Sequence, residues 1–470
     1  MPQRDGISGN TEMVTMRSAF TIKLWRRVLG KSCWRASIQF PTVAIVALCC
    51  SVATPGFGAS EQKTEQPVQV MPVDRFIDTI GVNIHMQYLD GPYGDVGKVM
   101  ELFKFLGIRH ARDVVPEAAR GIVRRMAYEG IRFNLFVSGD WRKAGTLEYI
   151  RHLEANVPNS VASVEGYNEI NNWQQTFDGR TGAAAAVAAQ KSLYAAIKSH
   201  PELKHIPVID LTGFEMIKEP GFEYGRSLSG FADVMNVHAY AQNGFQPGPW
   251  IRAGVPEHYG PSNGSLPKTL TEFGYASAPE SGWLMIGVDE RAQAKGIVNG
   301  LFGAALAGYH RTYLYELLDQ KPDLELKERE FHFGLFTNAS QPKLSAKAIS
   351  NIVKVLKSEA GAPTAAVPIE GISYDEAAKP EERLPVRSLQ LSRPNGAIIV
   401  AAWRETLFWD RATGRPVEAP PVKAEISFGR ACTSIMRYDV LNSSAPEMMP
   451  SGKSATALIG DYVQLIECAP

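Results

Sequence analysis

The chain has 470 residues, of which 45% are hydrophobic, and its 49 basic and 49 acidic residues leave no formal net charge. This is the composition of a globular protein, and the balance of charge gives no reason to expect a nucleic-acid partner or an anionic membrane surface. The length suits a barrel of about 250–300 residues followed by a second module of about 100 residues.

Residues 1–59 have the pattern of an export signal. Basic residues from Lys23 to Arg35 precede an apolar run, 40–53, which small and then polar residues follow. The run of about 14 residues is shorter than the roughly 20 that span a bilayer. We therefore predict an exported protein, periplasmic or secreted, cleaved after Ala53 or Ala59. An uncleaved membrane anchor is the alternative.

From residue 80 onwards, strand patterns alternate with helix patterns in which apolar residues recur at i, i+3 and i+4. Eight such alternations predict an α/β fold, a (β/α)8 TIM barrel over residues 72–357, rather than an open sheet. No G-x-G-x-x-G motif follows the first strand, which argues against a dinucleotide-binding fold. After strands five and six we predict long loops rich in proline and glycine, such as 243–267, instead of helices. The predicted strands are 80–84, 108–111, 132–137, 161–166, 206–211, 234–237, 269–271 and 312–317, and the predicted helices are 96–106, 117–129, 145–156, 181–200, 289–307 and 344–356.

Residues 360–470 have a different character. Short alternating segments at 388–391, 397–403, 424–428 and 462–466 predict a small all-β domain, a sandwich. Three of the five cysteines lie in the export signal, which leaves Cys432 and Cys468 in this domain. In an exported protein these two could form a disulfide, or they could remain two buried thiols.

Polar residues follow several barrel strands at the end where TIM barrels carry their reactive groups. Glu169 ends strand four and Glu272 ends strand seven. Two carboxylic acids at the mouths of different strands are what hydrolysis of a glycosidic bond requires. Further polar residues end other strands: His85 (strand one), Arg112 and Asp113 (strand two), His238 and Tyr240 (strand six) and Glu316 (strand eight).

Three of these strand ends resemble the glycoside hydrolases of clan A, most closely family 39 and its bacterial exopolysaccharide-acting relatives. The resemblance lies in Gly-Tyr-Asn-Glu at 166–169, Val-His-Ala-Tyr at 237–240 and Thr-Glu-Phe-Gly at 271–274. It covers residues 72–357, and the C-terminal β domain also suits family 39. One position departs from the clan, because Ile170 stands where proline is frequent.

The resemblance implies a role for each matching residue. Glu169 would be the acid/base and Glu272 the nucleophile, Asn168 would bind the sugar 2-hydroxyl, and Tyr240 would hold Glu272 in place. Arg112 would stabilise the ionised form of Glu272. Glu169 has to be protonated at the start of the reaction, so we expect it in a less polar wall and close to its negative partner.

Four tryptophans follow the predicted strands three, four, six and seven, where they would lie on the rim of the site and stack on sugar rings. His238 and His85 are expected as hydrogen-bonded pocket residues that contact substrate. No second histidine lies at metal-ligand spacing, so we predict no metal, and a serine hydrolase is excluded by the lack of a G-x-S-x-G elbow. The tryptophans are Trp141, Trp173, Trp250 and Trp283.

Together these patterns predict a retaining glycoside hydrolase that cleaves a β-linked poly- or oligosaccharide by double displacement, without metal or organic cofactor. The substrate is the expected partner, and no protein partner can be inferred from the sequence. Two alternatives remain. One is a non-catalytic carbohydrate-binding barrel in envelope polysaccharide assembly, and the other is a transglycosylase that uses the same glutamates.

Overall fold

The computed structural model describes residues 70–470, with gaps at 115, 174, 214–230, 242–243, 260–265, 280, 282–286, 358–364, 375–384 and 411. The predicted export signal lies outside these residues and stays a prediction. Across the described ranges, no helix is both long and apolar enough for a membrane span.

The first part of the chain alternates strands and helices. In chain order its elements are β1 (Val70–Pro72), α1 (Val73–Asp78), β2 (Ile80–Asn83), α2 (Val96–Leu106), β3 (His110–Asp113), α3 (Arg120–Tyr128), β4 (Arg132–Phe136), α4 (Thr146–Asn156), β5 (Val161–Glu165), β6 (Thr176–Phe177), β7 (Arg180–Thr181), α5 (Gly182–Ser199), β8 (Val208–Ile209), β9 (Met235–His238), α6 (Pro247–Tyr259), β10 (Lys268–Phe273), α7 (Glu290–Leu306), β11 (Tyr309–Leu314) and α8 (Leu344–Leu356).

Eight of these strands form one parallel sheet in the order β8-β5-β4-β3-β2-β11-β10-β9. A bridge between Ile209 and Val234 joins the two ends of this order and closes the barrel. The predicted TIM barrel is confirmed. In chain order, β2, β3, β4, β5, β8, β9, β10 and β11 are its first to eighth strands.

The second barrel strand extends further than predicted. We expected it to end at Ala111, but β3 runs to Asp113, and both Arg112 and Asp113 are buried. The sequence pattern places these two charged residues at the end of the strand rather than within it. Arg112 reaches Glu165 and Glu272 on other strands. The carboxylate of Asp113 accepts the backbone N–H of Met86 at 2.9 Å, so both charges have partners and the strand continues through them.

The loop predicted at 243–267 is wrong in part, because helix α6 lies within it. Pro247 and Pro249 occupy the first and third positions of this helix. Proline costs little there, since the first N–H groups of a helix have no intrahelical acceptor. Ile251, on the next turn, is completely buried and anchors the helix to the barrel.

The C-terminal part folds as two facing sheets, β1-β13-β14-β21-β18-β19 and β12-β17-β20, which confirms the predicted all-β domain. Strand β1, which precedes the barrel in sequence, pairs with β13 and so belongs to the larger of these sheets. The elements are β12 (Ile369–Tyr374), β13 (Val386–Ser392), β14 (Ile398–Arg404), β15 (Trp409–Asp410), β16 (Arg415–Pro416), β17 (Val422–Cys432), β18 (Ile435–Tyr438), β19 (Glu447–Met449), β20 (Gly452–Ile459) and β21 (Gln464–Cys468).

The six-stranded sheet is buried on both faces, as strand β14 shows. Side chains alternate between the faces of a strand. Ile398, Val400 and Ala402 accordingly belong to the core between the two sheets, and Ile399, Ala401 and Trp403 to the core shared with the barrel.

Of the two possibilities left open by the sequence, a disulfide or two buried thiols, the structure shows the disulfide between Cys432 and Cys468. Cys432 ends β17 in the smaller sheet, and Cys468 ends β21 in the larger one. The bond therefore crosslinks the two layers of the sandwich.

Candidate active site

Glu169 and Glu272 meet at the mouth of the barrel. One oxygen of each carboxylate and a ring nitrogen of His238 lie within 4.8 Å of one another. His238 Nδ1 is 2.9 Å from Oε1 of Glu169 and 3.5 Å from Oε2 of Glu272. All three side chains are buried. The barrel thus brings the predicted pair together across strands four, six and seven.

A tight turn after β5 places Glu169. Gly166 opens it, because a Cβ at this position would lie 2.0 Å from the side chain of Gln190 and 2.9 Å from the backbone of Leu211. Glu169 itself has a φ of 44°, a conformation that costs a non-glycine residue energy and that proteins retain at functional sites. Its backbone N–H donates to Oγ1 of Thr212 at 3.1 Å, which holds the turn in place.

Two donors hold Glu272. Arg112 Nη1 donates to its Oε1 at 2.7 Å, and the Tyr240 hydroxyl donates to its Oε2 at 2.9 Å. Burial, followed by the negative charge of Glu272, raises the pKa of Tyr240 well above its ordinary value, so the phenol keeps its proton and acts as a donor. These contacts fix the orientation of both Glu272 oxygens.

The buried carboxylate of Glu165 was missed from the sequence. Arg112 donates to it twice, from Nε at 2.8 Å and from Nη2 at 2.7 Å. Asn134 and Asn236 donate to the same carboxylate at 2.5 and 3.0 Å. The sequence pattern places Glu165 within the fourth strand, 161–166, and assigns it no role. The sequence does contain a signal for this residue. An acidic residue inside one barrel strand can pair with an arginine at the end of another, as Glu165 does with Arg112.

Glu165 determines where the other hydrogens of Arg112 point. With one edge of the guanidinium held, Nη1 reaches Glu272 and Nη2 donates to Oδ1 of Asn168 at 2.7 Å. Burial lowers the pKa of Arg112, but the charges of Glu165 and Glu272 outweigh it and raise the pKa overall. Because Asn168 accepts through its oxygen, its amide hydrogens face away from Arg112.

The surroundings of Glu169 are more polar than expected. Burial raises the pKa of this carboxyl, but the hydrogen bond and charge of His238, with help from Asn172 and Arg112, outweigh burial and lower it. His238 shows the opposite balance: burial lowers its pKa, and the charges of Glu272 and Glu169 raise it overall. In the resting site the shared proton therefore favours His238.

His85 lies in a second buried cluster beside the glutamate pair. Its Nε2 is 2.8 Å from Oε2 of Glu316, and the ring of Tyr315 lies 5.4 Å from His85 and 6.3 Å from Tyr240. Burial raises the pKa of Glu316 against the lowering effect of His85, and burial raises the pKa of nearby Asp113 to about 8. This cluster borders the site along strands one, two and eight.

The tryptophans divide into exposed and buried ones. Trp173 is 60% exposed and Trp250, on α6, is 37% exposed. Trp141 is only 2% exposed and stacks against Phe177 at 6.4 Å, which differs from the open platform we expected. Trp283 lies outside the described residues. The backbone N–H of Trp173 donates to the carbonyl of Glu169, so the backbone of Trp173 lies one turn after Glu169.

Glu169, His238 and Glu272 are also the group within the described part of the chain whose ligand atoms are close enough to share one metal ion. Two of these atoms, His238 Nδ1 and Glu169 Oε1, already form a hydrogen bond. A metal would have to break it. The arrangement therefore suits proton transfer without further change.

Neither protein-family models nor curated proteins match this sequence. Solved structures do. A family 39 glycoside hydrolase from the gut symbiont Bacteroides cellulosilyticus WH2 superposes with a TM-score of 0.53 and 14% identity, over 85% of this chain and 83% of that one. A monomeric β-xylosidase from Caulobacter crescentus CB15 gives a TM-score of 0.50 and 15% identity, over 85% and 97% of the two chains.

The GH39 enzyme from Xanthomonas axonopodis pv. citri gives a TM-score of 0.50 and 14% identity, over 85% of this chain and 95% of that one. Identities this low establish the fold alone. The resemblance predicted from the three strand-end motifs is confirmed at that level: the chain has the fold of the family 39 glycoside hydrolases, a TIM barrel with a C-terminal β domain.

Proposed function

We propose that the protein is a retaining glycoside hydrolase that cleaves a β-linked poly- or oligosaccharide by double displacement. The observation that carries the proposal is the convergence of Glu169 and Glu272, with carboxylate oxygens within 4.8 Å of one another. Retaining enzymes place their carboxyl groups about 5–5.5 Å apart, whereas inverting enzymes leave about 6.5–9.5 Å for a water molecule. The close approach supports retention.

The contacts support a division of labour. Glu272 is held by Arg112 and Tyr240, so one of its oxygens can attack the anomeric carbon in a fixed direction. Glu169 contacts His238, which supplies a proton, and stands beside the exposed Trp173. The leaving oxygen takes its proton from Glu169, and a water molecule later gives one back as it releases the sugar from Glu272.

Substrate and location extend this proposal. The similar Caulobacter structure is that of a β-xylosidase, which agrees with a β-linked substrate here. The exposed Trp173, one turn after Glu169, suits a chain of sugar rings. We also propose that the enzyme works outside the cytoplasm, because its disulfide persists in oxidising compartments and agrees with the export pattern of residues 1–59.

The decisive experiment compares the wild type with Glu272→Ala and Glu169→Ala on a panel of β-linked polysaccharides and aryl β-glycosides. Azide should rescue both variants on activated substrates. It should yield an α-glycosyl azide from Glu272→Ala and a β-glycosyl azide from Glu169→Ala, since azide replaces the nucleophile in one and the incoming water in the other. The exposed Glu148, on α4, provides a control variant, Glu148→Ala, with unchanged activity.

Three results would contradict the proposal. If wild type and Glu272→Ala were equally active, Glu272 would not be the nucleophile. A wild type that binds glycan without cleaving it would favour the carbohydrate-binding alternative. A wild type that transfers sugar to an added acceptor in preference to water would favour the transglycosylase.

A further inference from the structure

The protons of His238 can be assigned from its neighbours. The ring is buried at the end of β9, and both nitrogens have partners: Nδ1 lies 2.9 Å from Oε1 of Glu169, and Nε2 lies 3.1 Å from Oγ1 of Thr271. A carboxylate only accepts hydrogen bonds, whereas a hydroxyl can donate or accept. The role of Thr271 therefore decides the state of Nε2.

A chain of hydrogen bonds fixes that role. Asn236 Nδ2 donates to Oε1 of Glu165 at 3.0 Å and to the carbonyl of Asp210 at 3.1 Å, so the amide oxygen of Asn236 faces the other way as an acceptor. Thr271 Oγ1 lies 2.6 Å from that oxygen. A hydroxyl has one hydrogen, and Thr271 gives it to Asn236. Toward His238 it can then only accept, which requires a hydrogen on Nε2.

We propose that Thr271 holds His238 in the form that always carries a hydrogen on Nε2, so that Nδ1 alone exchanges a proton, and that it exchanges this proton with Glu169. His238 and Glu169 then hold the acid proton of the reaction as a pair. Thr271, Asn236 and Glu165 are positioning residues in this arrangement. The inference rests on the proposed function, in which Glu169 is the general acid.

The charge of Glu272 couples this proton to the reaction. Glu169 from the turn after β5 and Glu272 from β10 both favour a proton on Nδ1, and Arg112 from β3 opposes it. When an oxygen of Glu272 bonds to the anomeric carbon, the bond from that carbon to the leaving oxygen breaks and its electron pair stays on the leaving oxygen. The negative charge 3.5 Å from Nδ1 is thereby lost.

Loss of that charge weakens the hold of Nδ1 on its proton when the leaving oxygen needs one. The leaving oxygen takes a proton from Glu169, and the proton of Nδ1 moves to Glu169, so His238 becomes neutral and Glu169 ends as a carboxylate. In the second half, water attacks the anomeric carbon, the bond to Glu272 breaks with its electron pair on Glu272, and the proton of water returns through Glu169 to Nδ1. Charge and protons balance over the cycle.

The test uses the full-length protein labelled with ¹⁵N-histidine, with the His238 signals assigned by their absence from His238→Gln. In the wild type we expect Nε2 to keep a protonated nitrogen shift at every pH while Nδ1 alone titrates. Thr271→Val removes the acceptor with little change of shape, and the neutral ring should then shift toward the form protonated on Nδ1. Thr271→Ser keeps the hydroxyl and should keep the wild-type pattern.

Activity gives a second readout. Thr271→Val should lower kcat/KM about 10- to 100-fold on glycosides with poor leaving groups, which is part of the roughly 10²- to 10⁴-fold that a general acid contributes, and much less on dinitrophenyl glycosides, which need no acid. An unprotonated Nε2 in the wild type, or the wild-type titration pattern in Thr271→Val, would overturn the inference even in an active glycosidase. Since the spectra need no substrate, an inactive protein with the expected spectra would instead contradict the proposed function alone.

Discussion

At the scale of single residues, Glu165 connects stability to the proposed catalysis. It is completely buried, and its charge is balanced by Arg112, the same residue that holds Glu272 and Asn168. Glu165→Gln keeps the shape but removes the charge and turns an amide N–H₂ toward the guanidinium. Removing one member of a buried ion pair costs about 3–5 kcal/mol. We expect that loss of stability in denaturant unfolding. We also expect kcat to fall at least about tenfold, because Arg112 would no longer be held toward Glu272, and a tenfold fall corresponds to about 1.36 kcal/mol.

Glu405 provides the matched control. It pairs with Arg252 on α6 and with Arg387 on β13, where the barrel meets the second domain. Glu405→Gln should lose stability and keep kcat in the folded protein. A wild-type kcat in Glu165→Gln would show that Arg112 keeps its orientation without this carboxylate.

Asp113 gives a prediction for the pH dependence of stability. Burial raises its pKa to about 8 in the folded protein, against about 3.9 in an unfolded chain. Between these values the folded state binds the extra proton, so this group makes the wild type less stable as pH rises. Asp113→Asn resembles the protonated acid and does not titrate. In urea unfolding, its stability relative to the wild type should increase by about 2–4 kcal/mol from pH 5 to pH 8. A constant difference would mean that Asp113 is already ionised at pH 5.

At the scale of elements, the sequence predicted what periodicity and strand ends encode. Glu169, Glu272, His238 and Tyr240 were identified because each follows or ends an apolar strand, and parallel strands bring such ends to one rim of a barrel. Glu165 was missed because its partner lies on another strand, and a one-dimensional pattern does not show such pairing. The protonation of Glu169 depends on His238, 69 residues away, and needed the fold as well.

Helix α6 was missed because its local sequence favours a loop. Its first turn contains Pro247 and Pro249, which usually mark loops, and only packing on the barrel favours the helix over the loop. The second strand was predicted too short because charged side chains inside a barrel look like solvent-exposed ones in sequence. Both differences come from tertiary contacts that override local propensity.

The turn that carries Glu169 also carries Trp173, and this leads to a prediction for substrate length. A sugar on the leaving-group side must lie next to Glu169, and we expect the exposed ring of Trp173, one turn further along the chain, to offer it a stacking face. Trp173→Ala should raise KM about 5- to 10-fold for oligosaccharides, since such contacts contribute about 1 kcal/mol, and leave small aryl glycosides unchanged. Trp250→Ala, on helix α6, is the comparison variant. An equal effect on short and long substrates would place the ring outside the leaving-group side.

At the scale of the whole molecule, the second domain supports the catalytic face. Gln246, in the segment that precedes α6, donates to the carbonyls of Thr406 and Asp461 in the second domain at 2.9 and 2.8 Å. Asn299 on α7 donates to the side chain of Gln246 at 2.7 Å. These buried contacts tie the loop that follows His238 and Tyr240 to the β sandwich. A mild destabilisation of the sandwich should therefore lower the stability of the protein first, and only a larger one should disturb the rim of the site.

The disulfide allows this order of effects to be measured. Cys432 and Cys468 are 36 residues apart, and a crosslink of that span stabilises a fold by about 4 kcal/mol in the chain-entropy account. Cys432→Ala combined with Cys468→Ala should lower the melting temperature by several degrees. At 25 °C its kcat should stay within about twofold of the wild type, because the bond joins the two sheets of the sandwich and touches no residue of the site. Reductant should lower the melting temperature of the wild type and leave the double variant unchanged. A loss of kcat at 25 °C equal to that of Glu165→Gln would instead show that the sandwich sets the geometry of the catalytic pair directly.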